Sequence, residues 1–479
     1  MSITHRIQLA LTSGAAMLSS ASAFAQAAPD TTPAPGAAPA PTAPAAPSAD
    51  AATPADDAAR RQALEAEFAA ALKPPDSASP APAAPAPASY SSSSPSPLRL
   101  IDLSFDVLGA GGYSSAREGD LRQLEAGGHD PKNRGFTVQN VELTFAGVVD
   151  PYLRGDANIV LLIDESGETV IELEEAWLST LDLPFHLQLE AGQFFTEFGR
   201  LNPTHPHSWD FVDQPVVNSR FFGPDGLRAP GVQLSWLAPL PFFAELVLSA
   251  QNSQGETVVS FRNAPDESIA GRTLIERDVR DPGDLLYLTR LRTSFDLADD
   301  LTLVAGLSAL FGPNATATDT HTRIYGGDLY FKWRPLTNNQ GWPFLAWQTE
   351  ALLRRYQAAA VVDADGAETT AATTLDDAGL YSQLLWGFAR PWVVGVRYDR
   401  ARGERTAFAL PEGDYETSLD SLRDSRQRYS AVLSYYPSEF SKLRLQYNYD
   451  RAEFLNAGDA HSAYLQFEIL FGAHGAHKF

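Results

Sequence analysis

The sequence contains no cysteine in its 479 residues. That absence excludes a disulfide framework, a thiolate metal site and a cysteine nucleophile. Positive charge is also scarce: 36 Lys and Arg residues are outnumbered by 59 Asp and Glu residues, and the formal net charge is −23. Proteins that bind nucleic acid neutralise its phosphates with Lys and Arg. The charge balance therefore argues against nucleic acid as a partner.

Long hydrophobic runs are a third absence. After the N-terminal region there is no stretch of about 18 or more apolar residues, which excludes a membrane-spanning helix. The N-terminus has a basic start at His5 and Arg6, an apolar run over 7–18, and small residues before Gln26. This order predicts a secretory signal peptide over 1–25. If such a chain spans a membrane, it must do so as a β-barrel.

Residues 26–97 have the composition of a disordered arm. Ala, Pro, Ser and Thr dominate both ends of this segment, and such residues bury too little apolar surface to offset the entropy of ordering. Between those ends Leu64, Phe68 and Leu72 recur at spacings of four, which predicts a short amphipathic helix over 57–73. The exported chain would therefore begin with a Pro/Ala-rich periplasmic arm.

From residue 98 onward the pattern has a period of two. Leu443 and Leu445 alternate with Arg444 and Gln446, as expected for a strand with one apolar and one polar face. The same alternation predicts sixteen strands, near 99–110, 136–149, 153–164, 168–181, 185–196, 230–238, 242–250, 286–297, 300–311, 323–334, 343–356, 378–389, 391–400, 427–437, 441–451 and 461–471. An even number is typical of bacterial outer-membrane barrels. A large secreted all-β domain would also alternate and is the alternative.

The lengths of the connections favour the barrel. Short turns recur at every second junction, for example at 150–152 and 239–241. Longer polar, Gly-rich or acidic loops fill most of the other junctions, at 113–135, 197–229, 252–284, 312–322, 357–376 and 402–426. Short periplasmic turns and long extracellular loops are typical of outer-membrane barrels. We therefore expect an all-β fold, a transmembrane antiparallel β-barrel of about sixteen strands over 98–471.

Two further features indicate an outer-membrane location. Aromatic residues cluster near the strand ends, as in the girdles that contact the lipid interfaces on both sides. The last strand carries Phe467, Ile469 and Phe471 on one face, which resembles the C-terminal strand that the barrel-assembly machinery recognises. A C-terminal tail, 472–479, follows. Outer-membrane lipid and the assembly machinery are therefore predicted partners.

Two segments carry a family resemblance. GFTVQNVELTFAGVVDPYLRG at 135–155 and EAWLSTLDLPFHLQLEAGQFFTEFG at 175–199 resemble sixteen-stranded outer-membrane porins of the phosphate-selective porin O and P type. NPTHPHSWDFVDQP at 202–215, continued by FFGPDGLRAPG at 221–231, resembles a subgroup often labelled zinc-regulated outer-membrane receptors. The resemblance implies a diffusion channel, commonly a homotrimer. The phosphate-selective pattern depends on a lysine cluster, and this chain departs from it because its third long loop has no lysine.

The third long loop, 197–229, is the predicted constriction, because the third loop of general porins folds into the barrel. A sixteen-stranded barrel encloses a water-filled lumen, so selectivity has to come from whatever narrows it. The prolines of the loop stiffen it. Its candidate solute-binding residues are Arg200, His205, His207, Asp210, Asp213, Arg220, Asp225 and Arg228.

His205 and His207 permit several interpretations. Imidazoles beside a carboxylate suit zinc, so the pair is a candidate metal contact, although no cofactor is required by the pattern. Packing of the two histidines within a rigid loop is the alternative. No motif supplies a nucleophile, a base and an orienting residue together, so we do not expect an enzyme.

Strand parity also predicts charged residues that face the lumen. They are Glu142, Glu190, Arg290, Arg292, Lys332, Glu350, Arg354, Arg397 and Arg444. Neither sign dominates, and opposed charges create a transverse field instead of a simple ion filter. The predicted function is passive diffusion of small hydrophilic solutes or ions. A non-conducting barrel that serves as a zinc-linked receptor or envelope tether is the second hypothesis.

Overall fold

A computed structural model describes residues 101–164, 167–261, 268–362, 368–403, 408–409, 415–416 and 423–472. The predicted signal peptide (1–25), arm (26–97), short helix (57–73) and nearly all of the tail (472–479) lie outside the described residues.

The strands form one closed antiparallel barrel, which confirms the predicted fold class. Sixteen strands take part, β1 to β16 in chain order: Asp102–Ser114, Gly135–Val148, Leu153–Ile163, Thr169–Thr180, Leu187–Phe195, Arg228–Leu237, Phe243–Asn252, Leu285–Ala298, Leu301–Pro313, His321–Trp333, Phe344–Ala358, Thr373–Ala389, Trp392–Gly403, Arg426–Ser438, Ser441–Ala452 and Asp459–Gly472. Each strand pairs with its neighbours in sequence, and β1 closes the barrel against β16. The barrel therefore has no unpaired edge.

The boundaries differ from the prediction at a few points. Strand β1 runs on to Ser114 instead of ending near 110, and β12 begins at Thr373 instead of 378. Both strands extend on the side of the long loops, where glycines and polar residues conceal the alternation. The third long loop covers 196–227, so Arg228 begins β6 instead of lying in the loop.

Within the described residues, the connections contain little further secondary structure. Helix α1, Glu118–Leu124, lies between β1 and β2, and helix α2, Val216–Phe222, lies in the third long loop. Single 3-10 turns occur at Pro184–His186, Pro206–Ser208 and Pro282–Asp284. The remaining strands form two-residue to three-residue pairs: Ser268–Ile269 with Arg272–Thr273, Val361–Val362 with Glu368–Thr370, and Phe408–Ala409 with Tyr415–Glu416. No described helix is both long enough and apolar enough to cross a membrane.

Along most of each strand, side chains alternate between the outside and the interior of the barrel. In β16, Leu465, Phe467 and Ile469 are exposed on the outer surface, while Gln466 and Glu468 are buried inside. Leu307 and Val396 are likewise exposed, at 66% and 55% of their surface. An apolar outer face around a polar interior is the arrangement that a lipid bilayer requires of a barrel.

Strand β4 contains an irregularity that matters for the interior. Its pairing with β3 shifts after Asn158, which faces Glu175, while Ile159 faces Leu173. Glu174 is therefore an extra residue in β4, and Glu174 and Glu175 both lie inside the barrel. A β-bulge redirects side chains in this way, and bulges are frequent next to functional sites.

Candidate functional site

The third long loop crosses the interior of the barrel. The Gly199 amide donates to Ser308 Oγ of β9 at 3.1 Å, and the Val212 amide donates to Gln446 Oε1 of β15 at 2.7 Å. Since β9 and β15 are separated by five intervening strands, the loop reaches across the lumen. It does not stand above the barrel.

Apolar side chains of the loop pack against the inner wall. Phe211 contacts a cluster from β11 to β14, and Val217 and Phe221 of α2 pack with inward residues of neighbouring strands. Glycine makes room for this packing at Gly379 of β12, where a Cβ atom would lie 2.4 Å from Val217 Cγ2. The wall and the loop are therefore complementary in shape.

Asp213 is the centre of the polar contacts of the loop. Its carboxylate accepts hydrogen bonds from Arg397 at 2.7 Å, Arg428 at 2.6 Å, Gln446 at 2.9 Å and Asn448 at 2.6 Å, which lie on β13, β14 and β15. Burial by itself would raise the pKa of Asp213, but the two guanidinium groups hold the pKa below its usual range. The loop is therefore tied to the wall by an ionised carboxylate.

The interior also receives the first long loop, which strand parity did not predict. Glu125, directly after α1, accepts from Arg428 Nη2 at 2.7 Å, and Arg428 Nε donates to Asp450 at 2.9 Å. The Asp130 carboxylate accepts from the Gln214 amide at 2.9 Å. Residues of two loops and three strands therefore share one buried network of ion pairs. Nothing in the sequence indicated that Arg428 and Asp450 would share these partners.

The other predicted residues of the third loop are distributed along it. Arg200 donates to Gln348 at 3.0 Å and lies over the Tyr330 ring, with its guanidinium carbon 3.9 Å from the ring centre. Asp210 accepts from Gln383 at 2.7 Å. Arg220 donates to the Asp424 carbonyl at 2.8 Å. Arg228 donates to the Glu172 carboxylate at 2.8 Å and to the Asp225 carbonyl at 2.7 Å. The eight candidates thus do not form one site.

His205 and His207 lie together against β2 and β4. The Nδ1 atom of His205 is 2.8 Å from Glu174 and its Nε2 atom is 2.9 Å from Glu175. His207 Nδ1 is 3.0 Å from Glu142, and the two imidazole rings stack with centres 5.6 Å apart. The doublet Glu174-Glu175 interrupts the alternation of β4, and this is the signal by which the sequence could have indicated the bulge.

The carboxylates favour protonated histidines. Burial would lower the pKa of His205, but the charges of Glu142 and Glu174 raise it well above its ordinary value of 6.5. Burial would also lower the pKa of His207, and Glu142 raises it. Both shifts favour the charged imidazolium form, which would balance the acidic groups around it.

Most predicted lumen charges are paired. Arg290 contacts Asp328 at 2.8 Å, and Arg354 contacts Asp377 at 2.7 Å. Further contacts are Arg292 with Glu245, Glu350 with Tyr381, Arg397 with Asp399, Arg444 with Gln466, Glu142 with His207, and Lys332 with the Phe344 ring. Glu190 is partly exposed on β5. The ion pairs among these contacts neutralise much of the charge that the alternation of the strands predicts for the interior of the barrel.

One side of the interior is less tightly packed than the other. Inward charged residues of β13 to β15, such as Arg397, Arg428 and Asp450, are buried to 3% exposure or less. On β3 to β5 and at the start of the loop, by contrast, a group that we name the acidic wall is partly exposed: Asp156, Glu175, Glu190 and Glu197. These four carboxylates are close enough for the other three to interact electrostatically with Glu190.

A closed sixteen-stranded barrel with an apolar exterior and a polar interior defines this protein as an outer-membrane β-barrel. The sequence is 33% identical over 391 residues, 76% of each chain, to an uncharacterized protein of Aquifex aeolicus (strain VF5), and it belongs to the same family. No protein-family model matches the sequence.

Several solved outer-membrane structures are similar in fold. The outer-membrane channel DcaP of Acinetobacter baumannii is 12% identical, with 78% of this chain and 97% of that chain covered and a TM-score of 0.49. An anion-selective porin from Comamonas acidovorans is 8% identical, with coverage of 78% and 99% and a TM-score of 0.46. OprB of Pseudomonas putida is 11% identical, with coverage of 78% and 94% and a TM-score of 0.45. At these identities none of them assigns a solute to this chain.

Proposed function

We propose that the protein is a passive outer-membrane channel for small hydrophilic solutes or ions, with loop 197–229 as its constriction. The observation that carries the proposal is the course of this loop, which is hydrogen-bonded to β9 on one side of the interior and to β15 on another. An inserted, anchored loop reduces the open cross-section of a barrel that would otherwise hold a wide aqueous lumen. Transport would be driven by the solute gradient alone.

The open path would run beside the acidic wall on β3 to β5. Asp156 and Glu175 keep partial exposure there, with side-chain values of 11% and 13%, and Arg292 of β8 keeps 36%. Arg290 of β8 and Asp328 of β10 are buried. The opposite side of the interior is filled by the loop and by the buried network around Asp213. Solutes would therefore pass along one side of the barrel.

The charges along this path favour cations. The acidic wall contributes four partly exposed carboxylates, of which Asp156 contacts Arg154 at 2.8 Å and Glu175 contacts His205 at 2.9 Å. A basic group of Arg200, Lys332 and Arg334 lies on the loop and at the end of β10, which is several strands away from β3 to β5. The two groups would impose a transverse field in which the carboxylates predominate. This charge balance argues against phosphate selectivity.

Planar-bilayer recording under a KCl gradient tests both parts of the proposal. We expect discrete conductance steps and a reversal potential whose sign shows a preference for cations. The double variant E190Q/E197Q should move that potential toward zero, because it removes two of the four wall carboxylates. E439Q is the matched control, since Glu439 is exposed in the turn between β14 and β15. A preference for anions in the wild-type protein would contradict the assignment of the acidic wall.

A non-conducting barrel that acts as a receptor or envelope tether is the second candidate. Support comes from the dense contacts of the loop, since Phe211 and Phe221 are each exposed by 1% or less. Conductance separates the two candidates. Electrical silence from protein that is demonstrably folded in the bilayer would reject the channel and favour the tether.

A further inference from the structure

The histidine pair lies within a cluster that contains more carboxylates than imidazoles. Asp106 of β1 is directly opposite Glu142 of β2, and both point into the barrel. Like charges at directly opposed positions of neighbouring strands are destabilising. Glu174 and Glu175 approach the same point from the bulge in β4. Four carboxylates thus surround two imidazoles.

Asp106 provides an independent indication of a missing ligand. Its side chain is 3% exposed, and neither carboxylate oxygen has a hydrogen-bond partner among the described residues. A buried carboxylate without a donor is costly, and such a group in a folded protein needs a specific explanation. Ligand atoms of Asp106, Glu142 and His207 all lie within 4.8 Å of one another. A cation among them would satisfy the orphaned oxygens.

A second set of donors adjoins the first. Glu142, Glu174 and His205 also bring ligand atoms within 4.8 Å of one another, so Glu142 belongs to both sets. His205 and His207 keep 15% and 13% of their side chains exposed, which leaves the cluster accessible from the lumen. Mixed imidazole and carboxylate donors suit Zn²⁺ and related transition metals, whereas Ca²⁺ and Mg²⁺ prefer oxygen donors alone.

We propose that Asp106, Glu142 and His207 bind a divalent transition-metal ion such as Zn²⁺, and that Glu174 and His205 complete an adjoining donor set through the shared Glu142. Two of the ligands come from strands β1 and β2 and one comes from the loop. The ion would therefore join the loop to the wall, and its binding would make the loop more rigid. The proposal holds whether or not the barrel conducts.

Calorimetric titration of the EDTA-treated, detergent-solubilised protein with ZnCl₂ tests the site directly. All proteins carry H474A/H477A, which removes the two histidines of the C-terminal tail. We expect at least one Zn²⁺ per chain, with weaker affinity in D106N and in H207Q by about tenfold or more each, because loss of a group that merely orients a ligand already costs about 10–100-fold. H321A is the matched control, because His321 is exposed at the start of β10. MgCl₂ should bind much more weakly than ZnCl₂.

A spectroscopic measurement distinguishes loss of a ligand from loss of the fold. Co²⁺ in place of Zn²⁺ should give a visible absorption spectrum that changes in H207Q, while heat-modifiable migration on SDS gels verifies that each variant forms a barrel. The proposal is overturned by absence of Zn²⁺ binding, or by affinity that D106N and H207Q leave unchanged. Equal affinity for Mg²⁺ would also overturn it, as would Zn²⁺ binding that only the tail histidines support.

Discussion

Replacement of Asp213 by Asn should release the third loop from the barrel wall. The carboxylate accepts four hydrogen bonds from Arg397, Arg428, Gln446 and Asn448, and it is fully buried. Asn is nearly the same size but is uncharged, and its amide group would place a donor against donors. The substitution therefore removes the charge while it preserves the volume.

The free-energy cost of D213N depends on the partners that Arg397 and Arg428 retain. Breaking a buried ion pair by removal of one member costs about 3–5 kcal/mol. Arg397 retains Asp399 at 2.7 Å, and Arg428 retains Glu125 and Asp450, so the lower end of that range applies. A loss of about 3 kcal/mol in the docking free energy corresponds to more than a hundredfold in the equilibrium constant, since about 1.4 kcal/mol is a factor of ten.

Hydrogen exchange followed by mass spectrometry measures this loss. Amides of residues 202–227 should exchange more than a hundredfold faster in D213N, while the barrel strands keep their protection. D319N is the control, because Asp319 is exposed in another long loop. If the loop amides of D213N are as protected as those of the wild-type protein, Asp213 does not hold the loop and the reasoning from its contacts is refuted.

The pKa of Asp213 predicts how pH affects the hydrogen-exchange protection of the third long loop. The pKa of Asp213 is lowered in the folded protein relative to its usual 3.8, so its stabilising contribution is fully present above that value. The contribution is lost only as the pH falls through the lowered pKa. After correction for intrinsic exchange rates, the loop of the wild-type protein should therefore be better protected than that of D213N at both pH 5 and pH 7.

Two further predictions concern packing and assembly. G379A should displace α2, because the new Cβ would lie 2.4 Å from Val217 and overpacking typically costs about 1–3 kcal/mol. Hydrogen exchange of the amides of 216–222 should become faster. The control G327A, where the Cβ would lie 3.6 Å from Leu307, should exchange like the wild-type protein. The family resemblance predicts a homotrimer, so light scattering of the detergent-solubilised protein should give the mass of three chains. A monomeric mass would reject that prediction.

The sequence predicted the barrel well because period-two alternation is a local property. Leu465 and Phe467 face outward and Gln466 faces inward simply because successive side chains of a strand point to opposite sides. The turns were equally predictable, since they are marked locally by Pro, Asp and Gly. Sixteen strands with approximately correct bounds could therefore be read without knowledge of any distant contact.

The interior was less predictable because its contacts join distant parts of the chain. Nothing local connects Asp213 with Asn448, which are 235 residues apart, or Glu125 with Arg428. The bulge in β4 also broke the parity rule, so Glu174 and Glu175 were missed although they surround His205. The sequence identified His205 and His207 as unusual, but their environment depends on the register of strands that alternation alone does not determine.

The closure of the barrel by β1 against β16 has a consequence for how the protein is made. Ser115 and His461 meet at this seam across 346 residues, so closure requires nearly the whole chain to be present. The partners of Asp213 lie on β13 to β15, and the loop therefore cannot dock before those late strands have been placed. Contacts of such long range form slowly, and incompletely assembled barrels expose groups that promote aggregation. Damage to the interior network would consequently appear first as slower maturation and greater loss to periplasmic proteolysis.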